Sequence, residues 1–251
     1  MTFIRLDLAY DGTPFMGWQA QGKTRTVQQV LEDALEKIHH TRPKLSVAGR
    51  TDTGVHARHQ CCAYQVPHSP DPLSLQKALR TLLPPTIDVW RVSFTDETFH
   101  PRRSALARSY EYWVDTRPRA EPWKTPYVWS YYRYPLNLEN LRAMANMILG
   151  ESNFSSFCSA RDPSPSRHRY IFQSHWRQER GLFVYRITAN AFLWHMVRRL
   201  VGAMVRLCSL PQGVEHFEKM LRVPTTKVPA PAPASGLYLY KVVYHVREFP
   251  H

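Results

Sequence analysis

"LSVAGRTDTGVHARHQCCAYQV", residues 45–66, is the stretch on which the fold reading turns. Its two ends, Leu45–Arg50 and Gln60–Val66, read as β-strands, short apolar-rich runs bounded by turn residues. Between them lies a polar turn with Thr51, Asp52, Thr53 and Gly54 in a row. Asp52 is the only carboxylate between Glu36 and Asp71. Two roles compete for it. An Asp in a Thr-Asp-Thr-Gly sequence braces a turn by bonding the backbone two residues on. Alternatively, it is a reacting group presented to a substrate.

Working outward, Ile4–Ala9 alternates like a half-buried strand. Val27, Val30, Leu31, Ala34, Leu35 and Ile38 share one helical face, and Thr26 with Gln29 forms a capping-box pattern at its start. Leu75–Leu83 reads as a helix stopped by Pro84 and Pro85. Ile87–Phe94 is a further strand, so the first half reads βαββαβ. The second half repeats that order without obvious sequence identity. Ser109–Val114 alternates as a strand, Leu138–Leu149 is an amphipathic helix ending at Gly150, and Arg169–Arg177 with Leu182–Thr188 is a hairpin turning at Arg180-Gly181. Phe192–Leu207 reads as a long helix, Val214–Leu221 as a shorter one, and Leu237–Val246 as a closing strand. The tract "VPAPAPASG" before it reads as an extended spacer. The expected fold is therefore α+β: two tandem ferredoxin-like βαββαβ units with antiparallel sheets, residues 1–104 and 105–251, each with its helices on one sheet face. The other faces would be left open to carry RNA.

Composition narrows the partner. Of 251 residues, 33 are Lys or Arg and 20 are Asp or Glu, a formal net charge of +13. Such a surface attracts polyanions and releases their counterions on contact, so nucleic acid is the first partner to consider. The N-terminus shows no signal-peptide pattern, and no apolar run is long enough to span a bilayer, so the expectation is a cytoplasmic protein without membrane attachment. Cys61, Cys62, Cys158 and Cys208 form no C-x-x-C pair and read as free thiols. His56 and His59 near Cys61 lack a further cluster that would complete a metal site, so no metal is expected.

The isolation of Asp52 limits the chemistry. Two-metal nucleases group their carboxylates, and glycosidases pair them. A lone carboxylate beside Arg50 suits a charged nucleophile kept ionised by guanidinium neighbours.

Six blocks in order then resemble the TruA family of tRNA pseudouridine synthases, across almost the whole chain. They are "AYDGTPFMGWQAQ" (Ala9–Gln21, followed by "TVQQVLEDAL"), "AGRTDTGVHA" (Ala48–Ala57), "ARSYEYWV" (Ala107–Val114), "NFSSF" (Asn153–Phe157), "NAFLWHMVRRLVG" (Asn190–Gly202) and "ASGLYL" (Ala234–Leu239). The resemblance implies a pseudouridine synthase fold and isomerisation of uridine to pseudouridine in the anticodon stem-loop of tRNA, at positions 38–40. It implies that Asp52 is the catalytic aspartate, that Arg50 helps extrude the target nucleotide, that Tyr110 packs on the uracil ring, and that Arg198 pairs with the aspartate. It implies a homodimer, a tRNA partner and no cofactor. Two departures stand out: Thr53 replaces the commonest alanine, and Asp162–Tyr170 matches poorly. The plain readings beside these are Tyr110 and Tyr112 as one sheet face, Arg198 and Arg199 as a solvated helix end, Trp194 and Met196 as core, and His195 as a packed histidine. His100–Arg103 with Arg108 reads as a phosphate-contacting patch. The alternatives at the level of function are a catalytically idle RNA-binding protein on the same scaffold and a metal-dependent nuclease.

Overall fold

The computed structural model describes residues 1–22, 24–118 and 121–249. The chain divides into two compact units, residues 1–106 with 238–251, and residues 107–237.

The first unit runs β1 (Thr2–Tyr10), α1 (Val27–His39), β2 (Ser46–Val47), β3 (His56–Val66), α2 (Pro72–Leu82), β4 (Ile87–Thr95). β1 pairs antiparallel with both β3 and β4. Period-two burial places Ile4, Leu6 and Leu8 in the core with Leu31 and Leu35 of α1 and Leu75 and Leu79 of α2. The cap of α1 forms at Thr26, whose Oγ1 receives the Gln29 N–H at 3.3 Å. β2 is much shorter than expected. Ala48 N–H still reaches Cys61 O, but the Gly49 carbonyl is taken by the Gln60 side chain at 2.7 Å, which ends the ladder. β3 is correspondingly longer and begins at His56.

The second unit runs β5 (Ala107–Asp115), β6 (Trp129–Ser130), α3 (Leu138–Asn146), β7 (Gly150–Asn153), β8 (His168–Glu179), β9 (Leu182–Ala189), α4 (Met196–Leu207), α5 (Gly213–Arg222). Its antiparallel sheet has the order β5-β9-β8-β7, with β6 parallel on β5. The predicted hairpin turn is present, with Arg180 at φ 49° and Gly181 at φ 80°. Trp176 and Tyr185 stack at 4.9 Å, and Trp176 Nε1–H donates to Met204 Sδ of α4, which fixes the helix on this face.

β10 (Leu237–Val243) is the last strand, as expected, and it also pairs in parallel with β3, Tyr238 opposite His56 and Leu239 opposite Ala57, so the compact units divide the chain at Leu237 and Tyr238 rather than leaving residues 105–251 as one. The strand ends at Val243 because Glu248 turns back to receive the Tyr244 N–H at 2.9 Å.

The two sheet faces away from the helices are not plain polar surface. On the first, fully buried Asp7 accepts from Arg5 Nη2 at 2.8 Å and sits 3.0 Å from His59 Nε2. Burial pushes this carboxyl up, but the hydrogen bonds from His59 and Arg5 outweigh it and hold it below the usual range. On the second, Glu111 is 1% exposed and accepts from Arg186 and Arg177. Each face is thus braced at its centre by a buried acid with basic partners.

Candidate active site

The loop carrying Asp52 is closed by its own backbone. Val55 N–H donates to Asp52 O at 3.1 Å, with Gly54 at φ 74°, the conformation a type II turn needs at that position. The Asp52 side chain is half-buried, and Arg50 is exposed.

The segment from Tyr10 to Trp18 seats this loop. Tyr10 Oη and Thr51 Oγ1 are 2.7 Å apart, Trp18 N–H donates to Thr51 O at 3.0 Å, and Gly54 N–H reaches Phe15 O. Burial pushes the Tyr10 phenol up to about 12, so it stays protonated. The approach is close enough to demand glycine twice. A Cβ on Gly12 would lie 2.1 Å from Val55 O, and one on Gly17, which has φ 83°, would lie 2.7 Å from Thr51 O. Gly17 and Trp18 in turn accept the Val27 and Gln28 N–H groups at the start of α1, at 3.2 and 3.1 Å. A helix N-terminus therefore holds the segment, and the segment holds the loop. These bonds run through backbone atoms and the Thr51 hydroxyl.

His56 is 2% exposed, receives the Gly12 N–H on Nδ1 at 3.1 Å and stacks on Tyr238 at 4.7 Å. His59 is engaged with Asp7. Both histidines that were weighed as metal ligands therefore serve packing and hydrogen bonding.

In the second unit, Tyr110 projects from β5 and is 9% exposed, with the Phe192 ring edge-on at 5.0 Å and 85°. Arg198 is half-buried on α4 and donates through Nε to Ala232 O at 2.8 Å, while Ala232 N–H returns a bond to Arg198 O at 2.8 Å. The tract expected to be a spacer is thus packed structure: Ala232 is fully buried, and Arg206 Nη1 donates to Ala230 O. The arginines of α4 bind carbonyls that proline leaves without a regular ladder, which the composition alone does not reveal.

Three further expectations change. Trp194 is 46% exposed and is not core, whereas Met196 is buried. α4 starts at Met196 rather than Phe192, because His195 has φ 63° and cannot extend the helix toward the N-terminus. Arg108 is 8% exposed and donates to Asn190 O at 3.1 Å, so it leaves the proposed patch, although Arg102 and Arg103 are exposed. The residues missed as site elements were Tyr10, Gly12, Gly17, Trp18 and Phe192. The signal lay in the density of glycine and aromatic residues between 10 and 18.

The first unit thus presents a carboxylate on a loop seated by a glycine-aromatic segment, and the second unit carries a buried tyrosine beside Phe192 and a helix arginine. The family model described as tRNA pseudouridine synthase matches residues 8–101 and 144–245. A protein named tRNA pseudouridine synthase A from Borrelia duttonii is 34% identical over 97% of this chain and 100% of its own length. One of the same name from Thermosipho africanus is 38% identical over 97% of this chain and all of its own. Among solved structures, a chain of a Cbf5-Nop10-Gar1 complex aligns over 95% of this chain and 58% of its own at TM-score 0.39 and 12% identity. The chain belongs to the tRNA pseudouridine synthase family.

Proposed function

We propose that this protein converts uridine to pseudouridine in tRNA, at positions 38–40 of the anticodon stem-loop, with Asp52 as its catalytic carboxylate. The observation that carries the reading is the Asp52 turn, fixed from both sides by the Tyr10–Trp18 segment, in a chain of this family. The reaction breaks the N1–C1′ bond, turns the base and forms a C5–C1′ bond; C5 gives up its proton to solvent and N1 takes one up. Nothing is oxidised or hydrolysed, so the balance needs no co-reactant. Asp52 supplies negative charge where the sugar becomes electron-poor. Tyr110, its ring held by Phe192, packs on the uracil. Arg50 assists extrusion of the nucleotide, and Arg198 supports the aspartate. Taking the base out of its stack costs a few kcal/mol, which phosphate contacts made by a chain of net charge +13 offset. The working form is a homodimer acting in the cytoplasm. The reading of an idle RNA-binding protein is disfavoured by Asp52, Arg50 and Tyr110 occurring together.

The test is incubation with unmodified tRNA transcript in EDTA, followed by pseudouridine-specific chemical mapping. Product at positions 38–40 supports the proposal. Binding without product favours the idle protein, and metal-dependent strand cleavage favours the nuclease.

Two expectations follow for binding and for Arg198. The affinity for tRNA should fall with salt at a log–log slope of about −0.7 to −0.9 per phosphate neutralised, and a flat plot would contradict the use of the basic surface. In single-turnover kinetics at saturating enzyme, Arg198→Met should slow the chemical step far more than it weakens tRNA binding, with Arg198→Lys between it and the wild type, since the charge stays but the planar fork is lost. Equal losses for Arg198→Met and Arg199→Met would reduce the role to general positive charge.

A further inference from the structure

Asp162 lies in the stretch 162–170 that matched the family pattern poorly, yet it is a hub. Its side chain is 3% exposed and its carboxylate accepts from three donors: Trp194 N–H at 2.5 Å, Ser164 N–H at 2.8 Å and Arg167 Nη1 at 2.7 Å. Ser159 N–H adds a bond to Trp194 O at 2.9 Å, so residue 194 is held on both sides of its backbone. Arg167, besides pairing with the carboxylate, accepts the Phe154 N–H on its carbonyl at 3.0 Å, which ties the hub to the "NFSSF" block.

Trp194 stands between Phe192, whose ring holds Tyr110, and His195, the residue that opens α4. Two positions back, Phe192 sets its ring edge-on against Tyr110 at 5.0 Å. One position forward, His195 adopts φ 63°, a left-handed conformation that a residue with a side chain holds only when its surroundings impose it. That residue opens α4, and Arg198 follows within the first turn. The Trp194 side chain is 46% exposed, so the residue is held by its backbone rather than by burial of its ring.

We propose that Asp162 is a positioning residue for the reaction: by holding the Trp194 N–H it fixes the 190–196 loop, and through it both the Tyr110 ring and the entry to the helix that carries Arg198. The inference rests on the functional reading above. It also explains why a carboxylate, rather than a neutral acceptor, occupies the position. Two backbone N–H groups and a guanidinium converge on one small buried volume, and charge-assisted bonds are the stronger ones. Burial pushes this carboxyl up, and the N–H groups of Trp194 and Ser164 more than reverse it, holding it below the usual carboxylate range.

The experiment compares wild type, Asp162→Ala and Asp162→Asn in three readouts: single-turnover rate at saturating enzyme, tRNA affinity, and amide exchange across residues 190–197. Asp162→Ala should speed exchange in that segment and slow the chemical step by about 100-fold, the scale of a misplacement of about 1 Å, with little change in affinity. Asp162→Asn keeps an oxygen for the Trp194 N–H only by turning its NH2 toward the Ser164 N–H and Arg167, so it should recover only part of both losses. Wild-type rate in a variant whose loop exchanges faster overturns the inference and leaves the activity standing. Wild-type exchange in Asp162→Ala overturns it as well, even if the wild-type protein forms no pseudouridine, in which case the functional reading falls separately. Should Asp162→Ala not fold, Asp162→Asn decides: a rate loss without faster exchange contradicts the loop route.

Discussion

Asp52→Asn should abolish pseudouridine formation while tRNA affinity stays within about tenfold, roughly 1.4 kcal/mol. The substitution is close to isosteric, and the bonds that seat the loop run through the Asp52 carbonyl, the Thr51 hydroxyl and carbonyl, and the Gly54 N–H, all of which it retains. What disappears is the charge. The basic side chains that would meet phosphate are untouched, so binding should persist. The readouts are nucleotide-resolution mapping for product and a binding isotherm for affinity. A fully active variant would remove the carboxylate from the chemistry. A variant that fails to fold would return Asp52 to the role of a turn brace.

The second large effect is expected at Gly12. An alanine there would bring its Cβ to 2.1 Å from Val55 O, well inside contact distance, and the atoms it meets are Val55 backbone, which cannot rotate away. Either the 10–18 segment or the Asp52 loop must move. The cost of such overpacking should reach about 3 kcal/mol, the upper end of what extra groups in a packed interior cost. In a chain of this size that lowers the melting temperature by about 6–12 °C. If the surviving protein is folded, displacing the loop by about 1 Å should reduce the single-turnover rate by about 100-fold. Calorimetry and kinetics on Gly12→Ala check both. An unchanged melting temperature together with full activity would mean that the segment does not seat the loop.

Much of this was legible before the structure. Ile4, Leu6 and Leu8 announce β1 because burial on one sheet face has period two, and the Arg180-Gly181 turn is local chemistry. Asp52 stands out because no other acid is near it in sequence. What escaped reading depends on partners far apart in the chain. Tyr10 meets Thr51 across 41 positions, and nothing local to either residue signals it. The "VPAPAPASG" tract has the composition of a spacer, but Arg198 and Arg206 of α4 bind its carbonyls. The start of α4 was misjudged because its apolar pattern continues unbroken through Phe192 and Leu193, while the break comes from a positive φ at His195 with no glycine to mark it. Trp194 was read as core on its residue type, yet the loop is held there by its backbone and by Asp162.

The central claim is that the chain rearranges uridine within tRNA, and the proton balance of that rearrangement gives its most direct measurement. Forming the C5–C1′ bond expels the hydrogen from C5. A tRNA transcript carrying tritium at C5 of its uridines, incubated with purified protein in EDTA and without any cofactor, should release tritium to water in step with the pseudouridine mapped in the same sample. Asp52→Asn should release none. Tight binding of that tRNA by the wild-type protein with no tritium released would contradict the account.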